Sequence, residues 1–202
     1  SDNDQAEVWS VARKALGKGG SRWLPVRRPD AYAGDVFRTL AKAQGIRLPT
    51  PQISHREPQG AVLVRHSSDG LRMVLKDMLK HSTNLTAEAV GMAASARIGA
   101  LGDHEASARA MTGWLKARVG VADAVLHDHS GLGATTRITA EDMVRTLRAL
   151  GPKAGLRGLM KPVAFRDEKG RKAASPILVE AKTGTLNFVS ALTGFMVAPD
   201  GR

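Results

Sequence analysis

The run Ile177-Leu178-Val179-Glu180-Ala181-Lys182-Thr183-Gly184-Thr185-Leu186-Asn187-Phe188-Val189-Ser190-Ala191-Leu192-Thr193-Gly194-Phe195-Met196-Val197 sets the architecture of this chain. Its apolar and β-branched pieces, Ile177–Val179, Leu186–Leu192 and Gly194–Val197, suit a pleated, half-buried surface and read as strands. Asp200-Gly201 then reads as a hairpin turn. Upstream the pattern changes period. Tyr32, Val36, Phe37 and Leu40 recur at helical spacing and predict a helix over 31–44, stopped by Gly45. Leu71, Val74, Leu75, Met78 and Leu79 form a second stripe, capped by Ser68 or Asp69 and ending near His81. A small-residue helix is expected over Ala87–Ile98 and another over 104–118. A further one starts at Thr139 with Asp142 three residues on, a relative of the capping box, and stops at Gly151-Pro152. Residues 46–66, broken by Pro49, Pro51, Pro58 and Gly60, read as loop with short β-rich pieces such as Ala61–Val64. Helices followed by strands make an α+β domain: a helical cluster packed on an antiparallel sheet whose edge carries Lys182 to Thr185.

Composition narrows the chemistry. With 202 residues, 43% of them hydrophobic and 24% charged, the chain can bury a real core. The absence of cysteine removes disulfides, thiolate metal sites and cysteine nucleophiles together. No apolar run is long enough to cross a bilayer. The acidic start, Ser1-Asp2-Asn3-Asp4, carries no basic segment followed by an apolar core, so no signal peptide is read there. The net charge of +11 favours anionic partners. Nucleic acid is not the expected one, because three Trp, one Tyr and four Phe lie scattered without an aromatic-basic strand motif. Metal is not expected either. His127-Asp128-His129 lacks further ligands at metal spacing, and His104-Glu105 has Ala108 where a zinc peptidase needs its second histidine.

Two polar stretches carry chemistry in combination. Ser82-Thr83-Asn84 lies between two helices, and Lys182-Thr183-Gly184-Thr185 follows about a hundred residues later on a strand. Attack by a serine hydroxyl needs a base, an oxyanion donor and a fixed acyl group. Lys182 supplies positive potential, and Gly184 removes the side chain that would hold a substrate off the backbone. The Thr185 N–H can face an oxyanion, and the hydroxyls of Thr183 and Thr185 can bind a carboxylate. Ser82 can relay a proton and Asn84 can hold a substrate amide, provided their loop faces the strand. For the catalytic set this names Ser82, Asn84 and Lys182, and for substrate binding Thr183, Gly184 and Thr185.

From about Val26 onward the sequence resembles the C-terminal part of the D-alanyl-D-alanine carboxypeptidase/endopeptidases, the class C penicillin-binding proteins. His81-Ser82-Thr83-Asn84-Leu85-Thr86-Ala87-Glu88 resembles the Ser-x-Asn segment with its trailing Ala-Glu. Asp128-His129-Ser130-Gly131-Leu132 resembles an Asp-Gly-Ser-Gly-Leu segment, departing at His129, and Ala181–Leu186 resembles the Lys-Thr-Gly motif. The resemblance implies a penicillin-binding/β-lactamase-like fold, with Leu132 on the acceptor side of the cleft. It also implies a serine-ester mechanism on peptidoglycan stem peptides, inhibition of the intact enzyme by β-lactams, no metal or organic cofactor, and a periplasmic or cell-wall location. Residues 1–28 then read as the tail of an inserted domain and 29–202 as the C-terminal part of the peptidase domain.

The remaining family motif, Ser-x-x-Lys, is not found: no serine of the sequence has lysine three positions on. Together with a hairpin signal at the very end, this leads to the expectation of a fragment that is inactive by itself. A non-catalytic peptidoglycan-binding homologue stays open as the alternative, with a basic nucleic-acid-binding module behind it.

Overall fold

The computed structural model describes residues 8–17, 24–56, 59–100, 102–186 and 189–201. The acidic start Ser1–Asp4, the segment from Lys18 to Trp23, Pro58, and Asn187-Phe188 lie outside the described residues. The chain divides into two compact units, Ser1–Arg65 and His66–Arg202.

The first unit holds α1 (Arg13–Leu16) and α2 (Pro29–Ala43). Pro29 occupies the first helical position, where its missing N–H costs nothing, and Asp30 favours the helix N-terminus. The segment after α2 folds back on it: Pro51 lies against Gly34, where even a methyl would overlap its ring, and Arg38 Nε donates to the Leu48 carbonyl at 3.3 Å. Ala61–Val64, expected to be β-rich, forms no strand and is exposed at Val62, Leu63 and Val64. A strand exists by pairing, and this tract has no ladder partner among the described residues.

The second unit carries α3 (Leu71–His81), α4 (Asn84–Arg97), α5 (His104–Val119), α6 (Ala140–Ala154), a 3-10 turn (Leu156–Leu159) and three strands, β1 (Lys161–Pro162), β2 (Leu178–Leu186) and β3 (Val189–Val197). Its sheet is antiparallel throughout, in the order β1-β2-β3. Helices packed against this sheet realise the expected α+β class. The strand boundaries differ from the sequence reading. Leu186–Leu192 is not one strand, because β2 ends at Leu186 and β3 begins at Val189, its direct partner. Gly194 does not separate two strands but sits inside β3 opposite Ala181, where a Cβ would overlap the Glu180 carbonyl and the Ala181 backbone.

Helix ends show similar physics. At α3 the N-terminal position is Gly70 rather than Ser68 or Asp69, and Ser68 Oγ instead donates to the Asp69 carbonyl. α4 starts at Asn84, three residues before the expected Ala87. Thr139 caps α6 as expected, accepting from Asp142 N–H at 3.0 Å, but the helix continues through Gly151 and Pro152 and ends at Gly155 with φ +59°. Tertiary contacts hold that last turn. Phe195 of β3 lies on Gly151, and Arg72 of α3 donates to the carbonyls of Ala154 and Gly155 at 3.2 and 3.3 Å, a cation at a helix C-terminus.

The core is built around Leu115, Val121 and Ala124, with Val119, Leu126, Ile138 and Leu150 packed against it. Beside it, α4 and α5 approach closely through Gly91, Ser95, Ser107 and Ala108, all buried. On the hairpin, two glycines make a test of packing against backbone freedom. Gly194→Ala is expected to destabilise by about 1–3 kcal/mol, since the added methyl must push backbone. Gly184→Ala, whose Cβ would meet only Ala191 Cβ at 3.8 Å, should stay within about 0.5 kcal/mol. Urea unfolding midpoints of the two variants check the contrast.

Candidate active site

Ser82 is the corner between α3 and α4. It is the C-terminal cap of α3 in left-handed conformation, φ 56° and ψ 49°, and among the described residues it is the one non-glycine with positive φ. Thr83 is already the N-cap of α4 and Asn84 its first helical residue. One helix therefore stops and the next starts within two residues, which presents Ser82 and Asn84 on an exposed corner. An L-residue in this conformation costs about 1–2 kcal/mol, a cost glycine would avoid.

Lys182 of β2 reaches that corner. Its Nζ donates to Ser82 Oγ at 2.9 Å, and also to the carbonyl of Thr183. Thus the two stretches singled out in the sequence, a hundred residues apart, meet directly. Burial holds the Lys182 ammonium below the usual lysine range, and the charge of nearby Lys161 adds to this.

The direction of the strand follows from one bond. Val163 N–H donates to the Val179 carbonyl at 2.8 Å, so the backbone groups of Val179 face β1. Along an unbulged strand these groups alternate, so those of Ala181, Thr183 and Thr185 face the same way. β1 covers only Glu180 and Ala181, and among the described residues no strand lies beside Thr183 and Thr185 on that side. Their N–H and C=O groups line an open edge, next to Lys182 Nζ. The side chains of Thr183 and Thr185 share the face of buried Ala181, opposite to Lys182, so what the three residues have in common is this edge. Gly184 adds no bulk there.

A third element flanks the corner. Glu88 lies one helical turn beyond Asn84 on α4, and its carboxylate accepts the backbone N–H of Ser130 at 2.9 Å and of His129 at 3.2 Å. Burial pushes the Glu88 carboxyl up. Hydrogen bonds from the Ser130 hydroxyl and from the two N–H groups, with an electrostatic contribution from His129, outweigh it and leave the carboxyl below its ordinary range. Asp128 closes the same loop on itself by accepting from the N–H groups of Gly131, at 2.8 Å, and Gly133. Leu132, on this loop, is 54% exposed, and the loop is tied to the helix of Asn84 by the Glu88 hydrogen bonds to His129 and Ser130.

The departure at His129 has a physical reason. Its ring fills the notch left by Gly91, where a Cβ would overlap the imidazole, and its Nε2 lies 2.8 Å from Ser107 Oγ. Ser107 Oγ is 2.7 Å from Ser95 Oγ, which donates to the Gly91 carbonyl at 3.0 Å. A chain from His129 Nε2 through Ser107 and Ser95 to the Gly91 carbonyl leaves each of the two hydroxyls with partners. Sequence reasoning missed the roles of Glu88, Gly91, Ser95 and Ser107. The spacing of Asn84 and Glu88, four apart on one helix, was the available signal; the others became visible only with the packing of α4 on α5.

With this geometry in place, comparison with known proteins is decisive. The D-Ala-D-Ala carboxypeptidase 3 (S13) family matches residues 10–202. The chain belongs to that family. It is 29% identical to a D-alanyl-D-alanine carboxypeptidase of Actinomadura sp. over 87% of this chain and 36% of the relative. It is likewise 29% identical to the D-alanyl-D-alanine carboxypeptidase DacB of Haemophilus influenzae, over 87% of this chain and 39% of that protein. The crystal structure of penicillin-binding protein 4 from H. influenzae, complexed with a β-lactam, superposes with a TM-score of 0.66 at 25% identity, covering 88% of this chain and 44% of that one. This S13 chain therefore spans well under half the length of these relatives, and it shares their penicillin-binding fold.

Two outcomes test the corner and its anchor. Ser82→Gly should be more stable than Ser82→Ala by about 1–2 kcal/mol, the reverse of the two residues' helical ranking, because only glycine relieves the left-handed backbone; thermal unfolding reads the order. Glu88 has a folded-state pKa below its unfolded one. Its contribution is therefore complete above about pH 4.3 and is lost as pH falls through the depressed value. In Glu88→Gln, acid titration of stability should lose that part of its slope, with the variant less stable at neutral pH.

Proposed function

We propose that this S13 chain supplies two walls of the active site of a serine-type D-Ala-D-Ala carboxypeptidase/endopeptidase acting on peptidoglycan stem peptides. The observation that carries the proposal is the Lys182–Ser82 hydrogen bond beside an open strand edge. In this reading a substrate lies along the open backbone edge of Thr183–Thr185 with its terminal carboxylate near Lys182. Lys161 adds to the positive potential there. The Thr185 N–H donates to the scissile carbonyl oxygen, and Asn84 holds a backbone amide of the peptide.

The reaction proceeds through a serine ester. A serine hydroxyl from a Ser-x-x-Lys segment outside these 202 residues attacks the carbonyl carbon of the penultimate D-alanine. As the C–O bond forms and the C–N bond breaks, the serine proton passes to the leaving nitrogen by way of Ser82, and the terminal D-amino acid departs. Water then adds to the ester carbonyl, and the serine leaves with a proton. A negatively charged tetrahedral intermediate is stabilised in both steps by the backbone donor and by Lys182. No resident metal or cofactor enters. β-Lactams would trap the same ester in the intact enzyme, which works in the periplasm or at the cell wall. Residues 1–28 are read as the tail of an inserted domain.

The second reading of the same edge is a homologue that binds peptidoglycan without cleaving it. A reading frame extended upstream distinguishes the two by whether it encodes Ser-x-x-Lys.

For the 202-residue chain, an N-acylated peptide ending in D-Ala-D-Ala is expected to bind, and Lys182→Ala and Gly184→Val should each weaken binding about tenfold or more, equivalent to about 1.4 kcal/mol. Labelled penicillin should leave the chain unmodified. Peptide binding indifferent to both substitutions, or a covalent penicillin adduct on this chain, overturns the proposal.

A further inference from the structure

Glu180 and Lys182 lie two residues apart on β2 and so project from the same face of the strand, while Ala181 between them is buried on the other. A carboxylate at that spacing is within reach of the ammonium and would neutralise it. In the structure it is turned away. Glu180 Oε2 accepts from Arg157 Nε at 2.5 Å, and Lys182 is left to Ser82 and Thr183. Arg157 stands on the 3-10 turn that follows α6, and that turn is fixed by the left-handed Gly155 and by Arg72 on its carbonyl. The guanidinium is thus held in place from outside the sheet. With Lys161 and Lys182 both cationic and Glu180 balanced by Arg157, the strand edge keeps a net positive charge.

We infer that Arg157 is a specificity-determining residue for anionic ligands: by engaging Glu180 it keeps the Lys182 ammonium available to a ligand carboxylate at the open edge of β2. The inference rests on the reading of that edge as a peptide-carboxylate site. Arginine suits the task because its charge is permanent and its planar fork fixes the carboxylate's direction. Without it, Glu180 swings toward Lys182 and competes with the ligand.

The test uses the 202-residue chain and two probes, an N-acylated peptide ending in D-Ala-D-Ala and the same peptide as its C-terminal amide. Arg157→Gln should weaken the free-carboxylate peptide about fivefold, the scale of one partly exposed charge interaction, and leave the amide unchanged. Adding Glu180→Gln should restore the parent affinity. Equal losses for both peptides, or no recovery in the double variant, overturn the inference. A second readout needs no ligand: followed by NMR, the Lys182 titration should move up in Arg157→Gln, as a carboxylate arrives, and return in the double variant. If the parent chain binds neither peptide, the peptidase reading falls and the Arg157 inference is judged on that titration alone, an unmoved Lys182 overturning it.

Discussion

A single hydrogen bond, from Lys182 on a strand to Ser82 at a helix corner, is the constraint around which the second unit is arranged. Both partners are costly to place. Ser82 sits in a backbone conformation that most side chains avoid, and Lys182 gives up hydration beside another lysine. Such arrangements persist only when the surroundings over-determine them. Here the surroundings are the α3–α6 contact through Arg72, the Phe195–Gly151 contact between β3 and α6, and the Arg157–Glu180 pair between the 3-10 turn and β2. Together they fix the end of α3 against the middle of β2.

The opposite side of the corner is held by different means. α4 and α5 touch through small residues, and the space this leaves is filled by the His129 ring and a chain of buried hydroxyls. A half-satisfied polar network would weaken the packing, but this one closes on the Gly91 carbonyl. Glu88 then ties the backbone of the Asp128–Gly133 loop to the helix that begins at Asn84. A glycine and a histidine, far apart in the chain, are thus matched in shape. The loop tolerates a bulky residue at position 129 because α4 has none at 91.

S13 membership gives these features a common purpose in the proposed reading. An open strand edge offers backbone donors and acceptors to an extended peptide, and a positive edge suits a terminal carboxylate. The threonines contribute through the edge rather than through the Lys182 face, a distinction that the strand's two-residue period makes unavoidable. In the same reading Arg157 engages the sheet's acidic residue, which leaves the Lys182 ammonium to a ligand.

Much of this was legible in the sequence, and for identifiable reasons. Helical stripes such as Leu71–Leu79, the Thr139 cap and the β-branched tail are local signals, and each element formed near its expected place because backbone and side-chain preferences agreed. The Ser82–Asn84 and Lys182–Thr185 stretches were singled out through residue chemistry alone, and the structure brings Lys182 against Ser82. What the residues could not say by themselves was settled by packing. The end of β2 at Leu186, the start of β3 at Val189 and the extension of α6 through Pro152 depend on cross-strand register and on Phe195 and Arg72, partners brought in from elsewhere in the chain. The seat of His129 and the pairing of Glu180 with Arg157 are likewise long-range. Local sequence carries the energetics of a turn or a cap, whereas contacts between distant residues exist only after the chain has closed, and their geometry belongs to the tertiary structure.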